Sequence, residues 1–149
     1  MIQVGTKAPD FSVQDHYGNT VTLSDFKGKK VVIFFYPKAN TPGCTLEACD
    51  LRDHYSELTD AGYSILGVSA DTVSAQNKFA MKFSFPYPLL ADVDRVLING
   101  FGVWGPKKFQ GREYEGILRT TFILDEQGVV ERVIDKVKTK AHASQILES

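Results

Sequence analysis

VVIFFYPKANTPGCTLEACDLRD, residues Val31 to Asp53, is the stretch from which the fold can be read. Its first six residues, Val31 to Tyr36, are apolar at every position, the pattern of a central strand covered on both faces. Pro37 ends that strand. Thr41 is a favoured helix N-cap and Pro42 a favoured first helical residue, so a helix is expected from Pro42 to about Ala61, with Gly62 as its stop. Tyr63 to Ser69 (YSILGVS) then reads as a second buried strand. Strand, helix and strand in that order imply a sheet with helices packed on its faces.

On the N-terminal side, Phe11–Gln14 and Thr20–Leu23 flank Asp15–Asn19, which predicts a hairpin, and Ser24–Gly28 reads as a short turn. On the C-terminal side a helix is expected from Asp71 to about Phe83. Pro86 and Pro88 break the chain, and Leu89–Asp92 reads as a short strand before a short helix over Val93–Phe101. Thr120–Leu124 and Val129–Val137 flank the turn sequence Asp125–Gly128 and predict a second hairpin, with a last short helix over Ala141–Glu148. Gly100–Gly116 carries five glycines and is expected to be one long ordered loop, with Trp104 and Phe109 as loop packing. The expected class is α/β, a central mixed sheet flanked by helices, in one domain over residues 1–149.

Composition narrows the function classes. With 17 basic and 18 acidic residues scattered along the chain and a net charge of −1, no nucleic-acid or anionic-membrane partner is expected. No apolar run reaches the length of a membrane span, and the N-terminus, MIQVGTKAPDF, lacks the basic and apolar regions of a signal peptide. A cytoplasmic, reducing compartment is therefore expected. There, a close pair of cysteines points to catalysis, redox sensing or metal binding rather than a structural disulfide.

Both cysteines of the chain, Cys44 and Cys49, lie in the expected helix. Cys44 falls in the first turn. There the backbone N–H groups of Gly43 and Cys44 lack intrahelical partners and the helix dipole adds partial positive charge. Both effects favour a thiolate, the nucleophilic form of the side chain. Cys44, Ala48, Leu51, Tyr55 and Leu58 form one apolar stripe, whereas Cys49 shares the polar face with Thr45, Arg52, Asp53 and Ser56. On a regular helix the two Cα atoms would be roughly 8.7 Å apart, beyond the span of about 7 Å that a disulfide bridges. A bond between them would require the first turns to unwind. Cys44, Cys49 and His54 would point to about 0°, 140° and 280° around the axis, which disfavours a shared metal ion. His54, flanked by Asp50 and Glu57, reads as a surface group. A reactive Cys44 is the favoured reading, and an inert, packed cysteine remains open for Cys49.

The spacing P-x-x-x-T-x-x-C of Pro37, Thr41 and Cys44, placed just after a buried strand, resembles the signature of the peroxiredoxins. The longer run YPKANTPGCTLEACDLRD is similar to the bacterioferritin-comigratory/PrxQ branch, whose second cysteine follows the first by five residues. APDF (Ala8–Phe11), GVSAD (Gly67–Asp71) and YEGILRTTFILDEQG (Tyr114–Gly128) extend the likeness from Gly5 to about Ile146. It implies a thioredoxin-like fold with an N-terminal hairpin extension. It also implies roles for six side chains. Cys44 would be the peroxidatic nucleophile and Cys49 the resolving cysteine that forms a disulfide with it. The Thr41 hydroxyl would hold thiolate and peroxide, and Pro37 would shield the site from water. Arg119 would pair with thiolate and peroxide oxygen, with Glu47 orienting it. The backbone of Gly43 would join Thr41, Cys44 and Arg119 in binding substrate.

The resemblance further implies a thiol peroxidase acting on hydrogen peroxide and organic hydroperoxides and recycled by a thioredoxin or similar dithiol, with no cofactor and no metal. Resolution inside one chain requires no second subunit, so a monomer, or at most a weak dimer, is expected. The C-terminus carries no cysteine, which argues against resolution by a partner subunit's C-terminal thiol. Two other readings use the same residues. One is a redox sensor or holdase driven by the disulfide switch. The other is a disulfide oxidoreductase, which the lack of a C-x-x-C motif disfavours.

Overall fold

The computed structural model describes residues 1–148. Its centre is a seven-stranded sheet. The strands are β1 (Ser12–Asp15), β2 (Thr20–Thr22), β3 (Lys30–Phe35), β4 (Tyr63–Ser69), β5 (Leu89–Ala91), β8 (Thr120–Leu124) and β9 (Val130–Ile134), in the order β2-β1-β5-β4-β3-β8-β9. β3, β4 and β5 run parallel, while β8 joins β3 antiparallel. The sheet is thus mixed, as expected, and the N-terminal hairpin extends it by pairing with β5.

Side chains of β3 alternate between two cores, as the strand period requires. Val31, Ile33 and Phe35 pack with Phe122, Leu124 and the helix α4 (Val96–Phe101), which contributes Leu97, Ile98 and Phe101. Val32, Phe34 and Tyr36 pack on the other face. They meet α1 (Pro42–Asp53), α2 (Tyr55–Asp60), α3 (Val73–Phe83) and α5 (His142–Leu147) through Ala48, Leu51, Leu58, Phe79, Ala143 and Ile146. Close packing is enforced at Gly67 in β4, where a Cβ would lie 2.8 Å from both Phe34 and Leu89.

Three expectations need correction. The helix expected over Pro42–Ala61 is broken at His54 into α1 and α2. Its ring Nδ1 lies 2.8 Å from the Asp50 carbonyl, which also accepts the His54 backbone N–H, so ring and backbone compete for one acceptor. The loop expected over Gly100–Gly116 instead holds a separate two-stranded hairpin, β6 (Trp104–Phe109) and β7 (Arg112–Ile117). Its turn residues, Gln110 and Gly111, both have positive φ (51° and 77°), as a two-residue turn matched to the strand twist demands. Trp104 packs against the first core with the Arg95 guanidinium 3.9 Å above its ring, while Phe109 is exposed rather than packed. Finally, α4 starts at Val96 rather than Val93, because the Asp92 carboxylate accepts the N–H groups of Val96 and Ile98 at 2.8 Å and so caps it. Among the described residues no helix is long and apolar enough to cross a membrane.

Candidate active site

The site forms where β3 ends and α1 begins. Tyr36 continues the strand, Pro37 is half-buried in the connection, and Asn40 takes a positive φ of 62° before the helix. Asp71, just after β4, anchors this connection by accepting the Ala39 N–H at 2.8 Å and the Ser69 hydroxyl at 2.6 Å. Thr41 occupies the N-cap position with extended backbone (φ −90°, ψ 157°). Its hydroxyl does not cap the helix, however. It donates to the Lys38 carbonyl at 2.8 Å, so the cap expected from its side chain is replaced by a bond within the loop. Pro42 and Gly43 follow, and the first helical bond runs from the Thr45 N–H to the Thr41 carbonyl at 2.8 Å.

Cys44 is 1% exposed and starts the buried stripe with Ala48 and Leu51. The β3–β8 register brings its partner to it. Phe35 is paired with Thr120, so Arg119, the residue before Thr120, stands beside the end of β3. One guanidinium nitrogen of Arg119 donates to Cys44 Sγ at 3.2 Å and another to Glu47 Oε1 at 2.6 Å. Both partners of Arg119 are thus buried side chains. A Cβ on Gly43 would approach Arg119 Nη2 to 3.3 Å, so the absence of a side chain lets the guanidinium lie over the helix end.

Glu47 lies off the apolar stripe yet is 0% exposed. Burial pushes its carboxyl up to about 7, with Arg119 opposing that rise. Its second oxygen has no hydrogen-bond partner among the described residues.

Cys49 is placed differently from the expectation. It is half-buried and packs against the second core rather than lying on a free polar face. The segment Phe83–Tyr87 covers that side of α1. Arg52 donates to the Phe83 carbonyl at 2.9 Å and the Tyr87 hydroxyl to the Ala48 carbonyl at 2.6 Å. Burial pushes the Cys49 thiol up, Arg52 pulls it down and Asp53 adds to the rise. Both cysteines are free thiols, with α1 intact across them.

The structure therefore brings Cys44, Arg119, Glu47 and Gly43 into contact. Thr41 and Pro37 stand in the adjoining loop, and Cys49 on a different side of the same helix. Residues without a visible cue in the sequence also converge here. His142 of α5, 0% exposed, lies 3.6 Å from Glu47 Oε2, and Lys107 of β6 donates to the Ile117 carbonyl at 2.8 Å beside the Arg119 segment. His142 could have been found only through contacts between distant segments. A cleft of about 540 Å³ opens at the other end of β3, against Leu23, Phe26 and Val31, and none of these site residues lines it.

A profile of the AhpC/TSA family matches residues 4–133. The chain belongs to that family. Within it, the chain is a peroxiredoxin of the Bcp/PrxQ kind. A putative peroxiredoxin bcp of Coxiella burnetii is 45% identical over 98% of this chain and 97% of its own length. Peroxiredoxin Bcp of Escherichia coli K12 is 44% identical over 98% and 94%. Among solved structures, the bacterioferritin comigratory protein of Xanthomonas campestris superposes with a TM-score of 0.89 at 36% identity, covering 97% of this chain and 95% of that one. The thioredoxin-like α/β fold expected for this peroxiredoxin is thus the observed one.

Proposed function

We propose that this chain is a thiol-dependent peroxidase that reduces hydrogen peroxide and organic hydroperoxides through the Cys44 thiolate. The observation that carries the reading is the Arg119 guanidinium, bonded at once to Cys44 Sγ and to the Glu47 carboxylate over the start of α1. A cation and unpaired helix N–H groups around one sulfur favour its anionic, nucleophilic form. The Bcp relatives are named peroxiredoxins, and the Xanthomonas protein is described for its alkyl peroxide reduction activity.

Cys44 S⁻ attacks the terminal oxygen of the peroxide in line with the O–O bond. That bond breaks, Cys44 becomes a sulfenic acid, and the departing hydroxide or alkoxide takes up a proton. Negative charge moves from sulfur to the leaving oxygen. Arg119 and the N–H groups of Gly43 and Cys44 stabilise it where it develops, and Thr41 and Pro37 shape the approach. The Cys49 thiol then displaces water from the sulfenic acid and a Cys44–Cys49 disulfide forms. A thioredoxin-type dithiol reduces it by exchange through a mixed disulfide. The two Cα atoms are roughly 8.7 Å apart in a regular helix, so the resolving step opens the first turns of α1. The whole cycle runs within one thioredoxin-like domain of a cytoplasmic monomer.

Peroxide loss in a thioredoxin-coupled assay tests the reading. Cys44→Ser is expected to reduce consumption to the uncatalysed rate, and a variant consuming peroxide as the wild type does overturns the assignment. Mass spectrometry after one equivalent of peroxide is expected to show a Cys44–Cys49 bond within one chain.

A further inference from the structure

Behind Arg119 lies a buried polar cluster that the peroxidase cycle described above leaves unused. His142, at the start of α5, is wholly enclosed and reaches Thr121 of β8, Gln145 of α5 and Glu47 of α1. Its hydrogen positions follow from its neighbours. The Lys138 N–H donates to Gln145 Oε1 at 2.9 Å, and Gln145 Nε2 donates to the Lys136 carbonyl at 2.9 Å, which fixes the amide's orientation. Gln145 Oε1 can only accept, so His142 Nδ1, 2.8 Å away, carries a hydrogen. In a neutral ring Nε2 is then bare and accepts from the Thr121 hydroxyl at 2.7 Å. Glu47 Oε2 lies 3.6 Å from this same Nε2 and has no hydrogen-bond partner. An ionised carboxylate facing a bare ring nitrogen in a dry site is repulsive. One proton relieves it, either on Glu47 or on Nε2.

We propose that His142 is a positioning residue for the peroxidase reaction: with Glu47 it holds one buried proton whose presence sets how firmly Arg119 is given to the Cys44 sulfur. When the proton is on the pair, the negative charge competing for the guanidinium is neutralised and Arg119 leans to the thiolate. When it leaves, Glu47 draws Arg119 back. Burial raises Glu47 and lowers His142, so the proton rests on the carboxyl rather than on the ring. Asp50 of α1, Arg119 and Arg132 of β9 are the other charges acting on His142, and Tyr87 is a further ionisable group close to Glu47. Linkage makes the coupling reciprocal: if the proton strengthens the hold on the thiolate, the thiolate must raise the pair's affinity for the proton.

This proposal rests on Cys44 being the peroxidatic thiolate, and its test separates the two. The His142 ring is followed by nitrogen NMR against pH in the reduced wild type and in Cys44→Ser. The midpoint is expected to be lower by about one pH unit in Cys44→Ser, a tenfold change in proton affinity. Equal midpoints overturn the proposal, while loss of peroxide turnover in the same variant leaves the peroxidase reading standing. In His142→Asn, which keeps a donor toward Gln145 but leaves Glu47 alone to hold the proton, the ionisation near neutral pH in the rate of Cys44 oxidation is expected to be displaced. An unchanged pH profile in the folded variant also overturns it. The NMR comparison decides the matter if His142→Asn does not fold.

Discussion

Cys44 and Cys49 lie on one helix, five residues apart, in surroundings that share almost nothing. Cys44 is sealed, sits on the helix start where N–H groups are unpaired, and touches a guanidinium that a buried carboxylate holds in place. Cys49 is half-buried in mid-helix with its carbonyl and N–H groups in the helical ladder, and burial pushes its thiol up. The same side chain thus meets two different environments by position alone, as the proposed division between nucleophile and resolving thiol requires. One sulfur is held against a guanidinium at the helix start; the other lies apart, on a different side of the same helix.

The division is broken most completely at Cys49. Cys49→Ser is expected to leave the first oxidation of Cys44 at its wild-type rate and to abolish thioredoxin-driven turnover, with the sulfenic acid accumulating in mass spectra. Continued recycling by thioredoxin would remove Cys49 from the cycle. At Cys44 the contrast depends on Arg119. Arg119→Met, which keeps length and loses charge, is expected to slow Cys44 oxidation about 10²–10³-fold, the range for removing one preorganised donor from a developing anion. Arg119→Lys should recover only part of this, because an ammonium cannot reach sulfur and carboxylate together in the fork geometry. Stopped-flow measurement of the single oxidation separates these from effects on recycling.

How much of this contrast is legible in the chain follows from the range of the contacts involved. Strand β3 and the start of α1 are local features: an apolar run, then Thr41, Pro42 and Gly43 in capping order. Their reading needed nothing from elsewhere. The role of Arg119 came through resemblance, since only the β3–β8 register places it beside Cys44. Glu47 looks like an ordinary surface residue of an amphipathic helix until α5 and Arg119 cover it. The polar face expected for Cys49 fails for the same reason, because Phe83–Tyr87 folds over it. The β6–β7 hairpin was hidden by Gly105-Pro106 inside a strand and by Gln110-Gly111, a weak form of the Asn-Gly turn signal. The break at His54 carries no proline or glycine to mark it.

The buried proton site makes the Cys44 end of the helix sensitive to pH. Glu47 is raised from 4.5 to about 7 in the folded chain, so its contribution to stability is fully present below 4.5 and is lost as pH rises through about 7. His142 is lowered below 6.5, so its contribution is present above 6.5 and is lost as pH falls. Urea unfolding across this window should therefore find that Glu47→Gln gains on the wild type as pH climbs from 4.5 to 7, by of order 1–3 kcal/mol. Parallel curves for the two proteins would show that Glu47 does not titrate in the folded state.

The smallest expected effect concerns the tie between the two environments. Tyr87 donates its buried hydroxyl to the Ala48 carbonyl at 2.6 Å, at the one residue that separates Glu47 from Cys49. That carbonyl belongs to a turn that must open before the sulfurs can meet. Tyr87→Phe removes the donor and keeps the ring packed beside Phe34 and Phe85. The carbonyl retains its helical partner, so the loss is that of one net hydrogen bond, about 1 kcal/mol, or roughly a fivefold gain in the population of opened helix. Cys44 oxidation should be unaffected, because no atom near the sulfur changes. Decay of the sulfenic acid to disulfide, followed by rapid quench and mass spectrometry, should quicken by about that fivefold factor. If it decays at the wild-type rate while the variant is less stable, the helix opens from its first turn without disturbing Ala48, and the boundary between the two environments lies nearer to Cys44.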